Sequence, residues 1–168
     1  MIAIVFDVND VSLRRSFFDR DLMGAISHLN APTSPIWGNM SAQHMLEHLT
    51  WAFRCSTGDI RLNCHTPENL IDPVKKFLYD NRGTPHGFRN PELGENPPPL
   101  QYSSLADARM AFARELSHFI DHFHDEPGAI HIHPIFGPLG AEEWQRSHFK
   151  HCYHHLLQFG LVEQPPTE

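Results

Sequence analysis

Much that would announce a function is absent from these 168 residues. Cysteine is scarce. Cys55, Cys64 and Cys152 are an odd number with no Cys-x-x-Cys among them, which argues against a disulfide framework. Positive charge is short as well. Lys and Arg total 13 against 20 Asp and Glu, a net charge of −7, and no basic stripe is visible for a phosphate backbone, so nucleic acid is not an expected partner. No apolar run is long enough to cross a membrane. There is no glycine-rich phosphate loop, no nucleophile elbow and no internal repeat, which counts against phosphoryl transfer and serine hydrolysis. The amino-terminal MIAIVFDVND has no basic residue ahead of its apolar run and carries Asp7, so it does not read as a signal peptide. A reducing, cytoplasmic setting is the expectation.

What remains is an ordinary globular composition, 40% hydrophobic and 20% charged, in a length that suits one domain over 1–168. Histidine sets the chain apart. There are 14, dispersed rather than gathered in a tag or tract.

The periodicity is helical. From about Asn9 to Leu29, Phe18, Leu22, Ala25, Ile26 and Leu29 recur at spacings of three and four, with Asn9 or Asp10 as the cap. The apolar run Met1 to Val8 before it suits either a short strand or a helix start. Ser41 caps a second helix, about Ala42 to Cys55. Its projected inner face holds His44, Met45, His48, Leu49, Trp51, Ala52 and Cys55, with Glu47, Thr50 and Arg54 opposite. Residues 56–103 are long and irregular, with a short helix expected at Val74 to Tyr79 and with His65 and His86 expected at the surface. Ser104-x-x-Asp107 opens a third helix that runs to about His124, with Leu105, Phe112, Leu116, Phe119 and Phe123 as the inward stripe. His118 and His122 share i, i+4 spacing but project off that stripe and are expected in solvent. Residues 131–140, rich in Pro and Gly, are expected to be extended. There His131 and His133 either cover the mouth of a site or belong to a turn packed by Pro134 and Phe136, the second being favoured.

A fourth helix, Glu142 to Phe159, reads EEWQRSHFKHCYHHLLQF. A helix advances about 100° per residue, so His151 and His155 stand one turn apart on nearly one line. Two imidazoles so placed can grip one metal ion. They share a face with Trp144, His148, Cys152 and Gln158, whereas His154 and Lys150 project away towards solvent. His48, at the middle of the second helix's inner face, is the best third ligand. The competing reading makes all three core histidines bonded to one another or to backbone. Cys55 is either a ligand or, as favoured, a small core residue. Four amphipathic helices with one long excursion between the second and third make an all-α helix bundle with a crossover.

Two stretches, WGNMSAQHMLEHL at 37–49 and HPIFGPLGAEEWQRSHFKHCYHHLLQFGL at 133–161, resemble the DinB/YfiT-like superfamily of metalloenzymes, and within it a branch with the signature HPxFG…EW…HxxHxxHHxxQ. The resemblance implies a four-helix bundle of up-down-down-up topology. It also implies a metal held by one histidine of the second helix and an H-x3-H pair of the fourth, which fall here on His48, His151 and His155. Many members follow the last ligand as His-Arg-Gly-Gln. This chain has His155-Leu156-Leu157-Gln158, so the Gln keeps its place and the Arg-Gly is missing. Some relatives act on low-molecular-weight thiols, and shared fold does not transfer chemistry.

The expected function is thus that of a metal-dependent enzyme. Three imidazoles would hold zinc or nickel with an open position, where water or a low-molecular-weight thiol becomes a nucleophile for hydrolysis or thiol transfer. His148 and Gln158 are candidates for supporting or acid–base roles. The expected partner is a small-molecule substrate, without nucleic acid or membrane, and a homodimer is admitted. The alternative is a non-catalytic binding module whose histidines are internal hydrogen-bonders.

Overall fold

A computed structural model describes residues 3–163 of the chain. It is mostly helical. In order run α1 (Val11–Ser16), a π turn (Phe17–Asp21), α2 (Leu22–Ile26), α3 (Ala42–Ser56), α4 (Glu68–Lys75), a 3-10 turn (Lys76–Tyr79), α5 (Leu105–Asp125), β1 (His131–His133), β2 (Gly137–Leu139) and α6 (Ala141–Gln158). Among the described residues no helix is long and apolar enough to cross a membrane.

Local chemistry accounts for most of the ends. Asp10 accepts from the Leu13 N–H at 2.9 Å and starts α1. Ser104 does the same for Asp107 at 3.1 Å and starts α5. α6 stops at Gly160, whose φ of +62° suits glycine. There the Gly160 N–H reaches Leu157 O at 3.0 Å and the Leu161 N–H reaches Leu156 O at 2.8 Å, which satisfies the last carbonyls. Residues 3–8 form neither a strand nor a helix, and Met1 and Ile2 lie outside the described residues.

The core is aromatic where three long helices meet. α3 packs along α5 and also meets α6. Phe53 of α3 lies 5.3 Å from both Phe112 and Phe119 of α5, centroid to centroid. The π turn buries the neighbours Phe17 and Phe18 in two directions, Phe17 edge-on to Phe149 of α6 at 4.9 Å and Phe18 towards Phe53. Phe112, Leu116 and Phe119 are buried on α5 as the periodicity implies, with Leu105 and Phe123 packed at the rim.

Four assignments of face need correction. Thr50, placed opposite the core by projection, is buried, together with Leu46 and Phe53, because α3 is covered by α5 on one side and α6 on another. Glu47 does not face open solvent. Its carboxylate accepts from the N–H groups of Gln101 at 2.7 Å and Tyr102 at 3.2 Å. Lys150 and His154 do not face solvent either. The 76–86 segment lies over that side of α6, so Lys150 donates to the carbonyls of Phe77 and Arg82 and His154 meets Thr84 O at 3.1 Å. The extended segment 131–140 closes into an antiparallel hairpin with His131 opposite Leu139.

Arg146 shows how tightly this covering is held. Buried on α6, it donates to Asn9 Oδ1 at 2.7 Å, to Glu142 Oε1 at 2.8 Å and to the carbonyls of Val8 and Leu78. Arg146→Ala should lower stability by about 2–4 kcal/mol by leaving buried acceptors unpaired. Urea unfolding of the variant against wild type measures it, and a loss below about 0.5 kcal/mol, the range of an ordinary surface change, would refute the assignment.

Candidate metal centre

The site lies where the last turns of α6 cross the middle of α3. Ser41 is the N-cap of α3. Its hydroxyl accepts from the His44 N–H at 3.2 Å, while the Ser41 N–H donates back to His44 Nδ1 at 3.4 Å. A histidine thus takes the place of the usual Glu in a reciprocal cap. One turn on, His48 reaches α6. Its Nε2 is 2.8 Å from His151 Nε2, and His151 Nε2 is 3.1 Å from His155 Nε2. The one ligand atom from each ring lies within 4.8 Å of the other two.

Gln158 decides which face His155 presents. Gln158 Oε1 lies 2.8 Å from His155 Nδ1, and Gln158 Nε2 donates to Trp37 O at 2.9 Å. With its NH2 spent on a carbonyl, the amide oxygen is left to accept, so the His155 proton sits on Nδ1 and the Nε2 lone pair faces the other rings. The Trp37 carbonyl can come this close because Gly38 follows it. A Cβ there would stand 2.9 Å from Gln158 Nε2, and φ is +82°. The Ile36 N–H also donates to Gln158 O at 2.7 Å, tying this loop to the helix end.

Burial keeps the three rings neutral. It holds the His48 pKa down to about 4, with His154 adding a smaller push, and holds His151 and His155 well below the ordinary histidine value. Neutral imidazole is the form that binds metal. Three imidazoles at tetrahedral angles around zinc would place their nitrogens about 3.3 Å apart. The observed 2.8 and 3.1 Å need only a slight opening. Because His155 offers only a lone pair, all three Nε2 atoms find partners in one another only if a single proton on His151 is shared between two acceptors. The donor set therefore fits a divalent ion.

The other sequence candidates are placed as follows. His148 is a turn away on α6 and turned from the trio. Its Nε2 meets Ser56 Oγ at 2.8 Å, and its ring stacks on Phe53 at 3.9 Å and on Trp144 at 5.4 Å. It does share a cavity of about 40 Å³ with His151 and Cys55. Burial pushes the Cys55 thiol up to about 12, which makes it a core residue rather than a ready ligand. All three cysteines are free. His133 organises its hairpin, its Nδ1 accepting from the Ile135 and Phe136 N–H groups at 3.0 and 3.2 Å. His118 is exposed as expected, near Asp59 and Glu115 at 3.6 Å. His122 is not simply solvated, because its Nε2 lies 2.8 Å from His131 Nε2. The hairpin that follows α5 folds that partner back onto the helix's last turn, and α5's own pattern carries no sign of it. His44 was a signal within reach, since Ser41-x-x-His44 has the spacing of a cap.

His148 generates a pH expectation. Burial lowers its folded pKa to about 3, against about 6.5 when unfolded. Below 6.5 the unfolded chain takes up a proton that the folded chain refuses. Stability that is fully present above pH 6.5 is therefore lost as pH falls towards 3, at about 1.4 kcal/mol per unit for this group. Melting temperatures of metal-free protein between pH 7.5 and 5 should fall accordingly, and His148→Phe, which keeps the ring stack, should flatten the slope. An unchanged slope in that variant would contradict a buried neutral His148.

Neither the curated proteins nor the solved structures contain a match to this chain. Residues 20–161 match a family described as "Protein of unknown function (DUF1569)". That span runs from the π turn to the end of α6 and includes His48, His151, His155 and Gln158. The chain belongs to this family.

Proposed function

We propose that the chain is a metal-dependent enzyme of the DinB/YfiT-like kind, its long helices forming a four-helix bundle of up-down-down-up topology with the 56–103 segment as the crossover. His48, His151 and His155 hold the ion, zinc or nickel. The observation that carries this reading is the convergence of three neutral Nε2 atoms, one of them fixed in tautomer by Gln158. When bound, a divalent ion with three imidazole ligands and an open position acidifies water or a thiol and so supplies a nucleophile near neutral pH.

The chain's own residues do the rest. Gln158 holds His155 with its lone pair inward, the outer support that metal-binding histidines ordinarily have. Trp51 and the crossover segment wall the space beside His48. Glu47 and Gln43, one turn apart on α3, pin that segment through the backbone of residues 101–102. Hydrolysis and thiol transfer both fit these parts. The second reading, a binding module with structural histidines, draws on the 2.8 Å approach of His48 to His151, which a single shared proton would also explain.

Metal content separates the two. Untagged protein should carry or take up about one divalent ion per chain, the number that one three-imidazole site holds. His48→Ala, His151→Ala and His155→Ala should each abolish tight binding, Gln158→Leu should weaken it about 10–100-fold, and His118→Ala should leave it intact. Titration of metal-free protein with zinc and nickel reads all five. No stoichiometric uptake by wild type would leave the binding-module reading. For the chemistry, electrophiles paired with small thiols, and esters and amides in water, should be turned over only by metal-loaded wild type. Equal turnover by metal-free His151→Ala would overturn the enzyme assignment.

A further inference from the structure

A second cavity, of about 120 Å³, opens beside His48 between α3 and the 93–101 stretch. Its size is on the order of the engineered 150 Å³ cavity that takes benzene, so it suits one ring or a short branched chain. Met40, Trp51, Leu93, Pro97 and Pro98 supply apolar walls, and no lysine or arginine lines it. The two carboxylates at its edge are both occupied. Glu47 is bonded to two backbone N–H groups, and Glu95 is paired with Arg89 at 2.7 Å. An anion would find no counter-charge here and a cation only carboxylates that already have partners, and either would lose hydration to apolar walls.

His44 supplies the remaining polar feature. A backbone N–H can only donate, so the Ser41 N–H fixes His44 Nδ1 as an acceptor and the proton lies on Nε2. The Ser41 hydroxyl, 2.8 Å from the same Nδ1, then donates as well. Among the described residues, the Nε2–H has no hydrogen-bond partner, and the ring lines the cavity one turn from His48. A ligand that offers an acceptor at that point completes the donor.

We propose that this cavity is the substrate pocket, and that it takes an uncharged molecule of about one ring whose carbonyl-type oxygen accepts from His44 Nε2–H. The inference rests on the metal reading of the three histidines for the reaction, but not for binding. A carbonyl so held would lie beside the His48 edge of the centre. Small uncharged amides and esters are then the substrate class, rather than charged peptides or phosphorylated metabolites.

The test uses metal-free full-length protein labelled with ¹⁵N-histidine and four probes that share one ring: benzamide, benzoate, benzylammonium and toluene. Benzamide should bind at millimolar concentration and shift the His44 Nε2 resonance. Benzoate and benzylammonium should be at least about tenfold weaker, for want of a counter-charge. Toluene should be about tenfold weaker, for want of an acceptor. His44→Phe should erase the preference for benzamide over toluene while leaving toluene binding unchanged. Leu93→Trp, on the covering stretch, should block every probe by filling the space. Binding of benzoate as tight as that of benzamide, a preference that survives His44→Phe, probes unaffected by Leu93→Trp, or no benzamide binding would each overturn the proposal. Zinc titration of the same samples is read separately. Benzamide bound by a protein that takes no zinc would leave this pocket standing and remove the metal centre, and zinc uptake without benzamide binding would do the reverse.

Discussion

The burial of α6 on nearly every side is the constraint from which most of the structure follows. The helix carries Arg146, Ser147, His148, Lys150, His155 and Gln158, all buried. A polar group out of water needs a partner, and a charged one needs it most. Each turn of α6 therefore recruits a piece of chain. Arg146 gathers Val8, Asn9 and Leu78, Lys150 gathers the carbonyls of Phe77 and Arg82, and Gln158 gathers Trp37. Loops that would otherwise be loose are fastened because the helix they cover would be costly without them.

The same rule sorts the histidines. His148 has Ser56, His133 has its own hairpin's N–H groups, and His154 has Thr84 O. Each of these rings is satisfied by protein. The three Nε2 atoms of His48, His151 and His155 have only one another, and Gln158 denies His155 the proton that would help. A site can be recognised by this contrast. It is a place where three buried nitrogens lean on one another with few protons to share among them.

Position in the fold adds the access that such a site requires. α3 brings His48 and His44 to one wall of a cavity, and the crossover segment brings Leu93 and the prolines at 97 and 98 to the other. Glu47 and Gln43 pin the far end of that segment to α3, and the contact of His65 with Glu92 ties its near part. The parts that shape the cavity come from a helix face and from a stretch with no regular structure, so on the proposed reading loop sequence governs what enters while helix sequence governs the donors.

The sequence by itself determined the long helices, most of their caps and the three convergent histidines. Helical periodicity is local, and i, i+4 spacing on one side of a helix survives whatever surrounds it. Phe112, Leu116 and Phe119 are inward for that reason, and so are His151 and His155 in their approach to His48. Only the tertiary structure decided the other faces. Lys150, His154 and Thr50 looked outward by projection and are covered, because a helical wheel assumes one buried side while α3 and α6 have several. The hold of Gln158 on Trp37 across 121 residues and that of Lys150 on the carbonyls of Phe77 and Arg82 depend on segments distant in sequence, and the pairing of His122 with His131 depends on how the hairpin after α5 folds back. No local pattern encodes which loop comes to rest on which helix. That is settled when buried polar groups far apart in the chain find the partners that let them leave water.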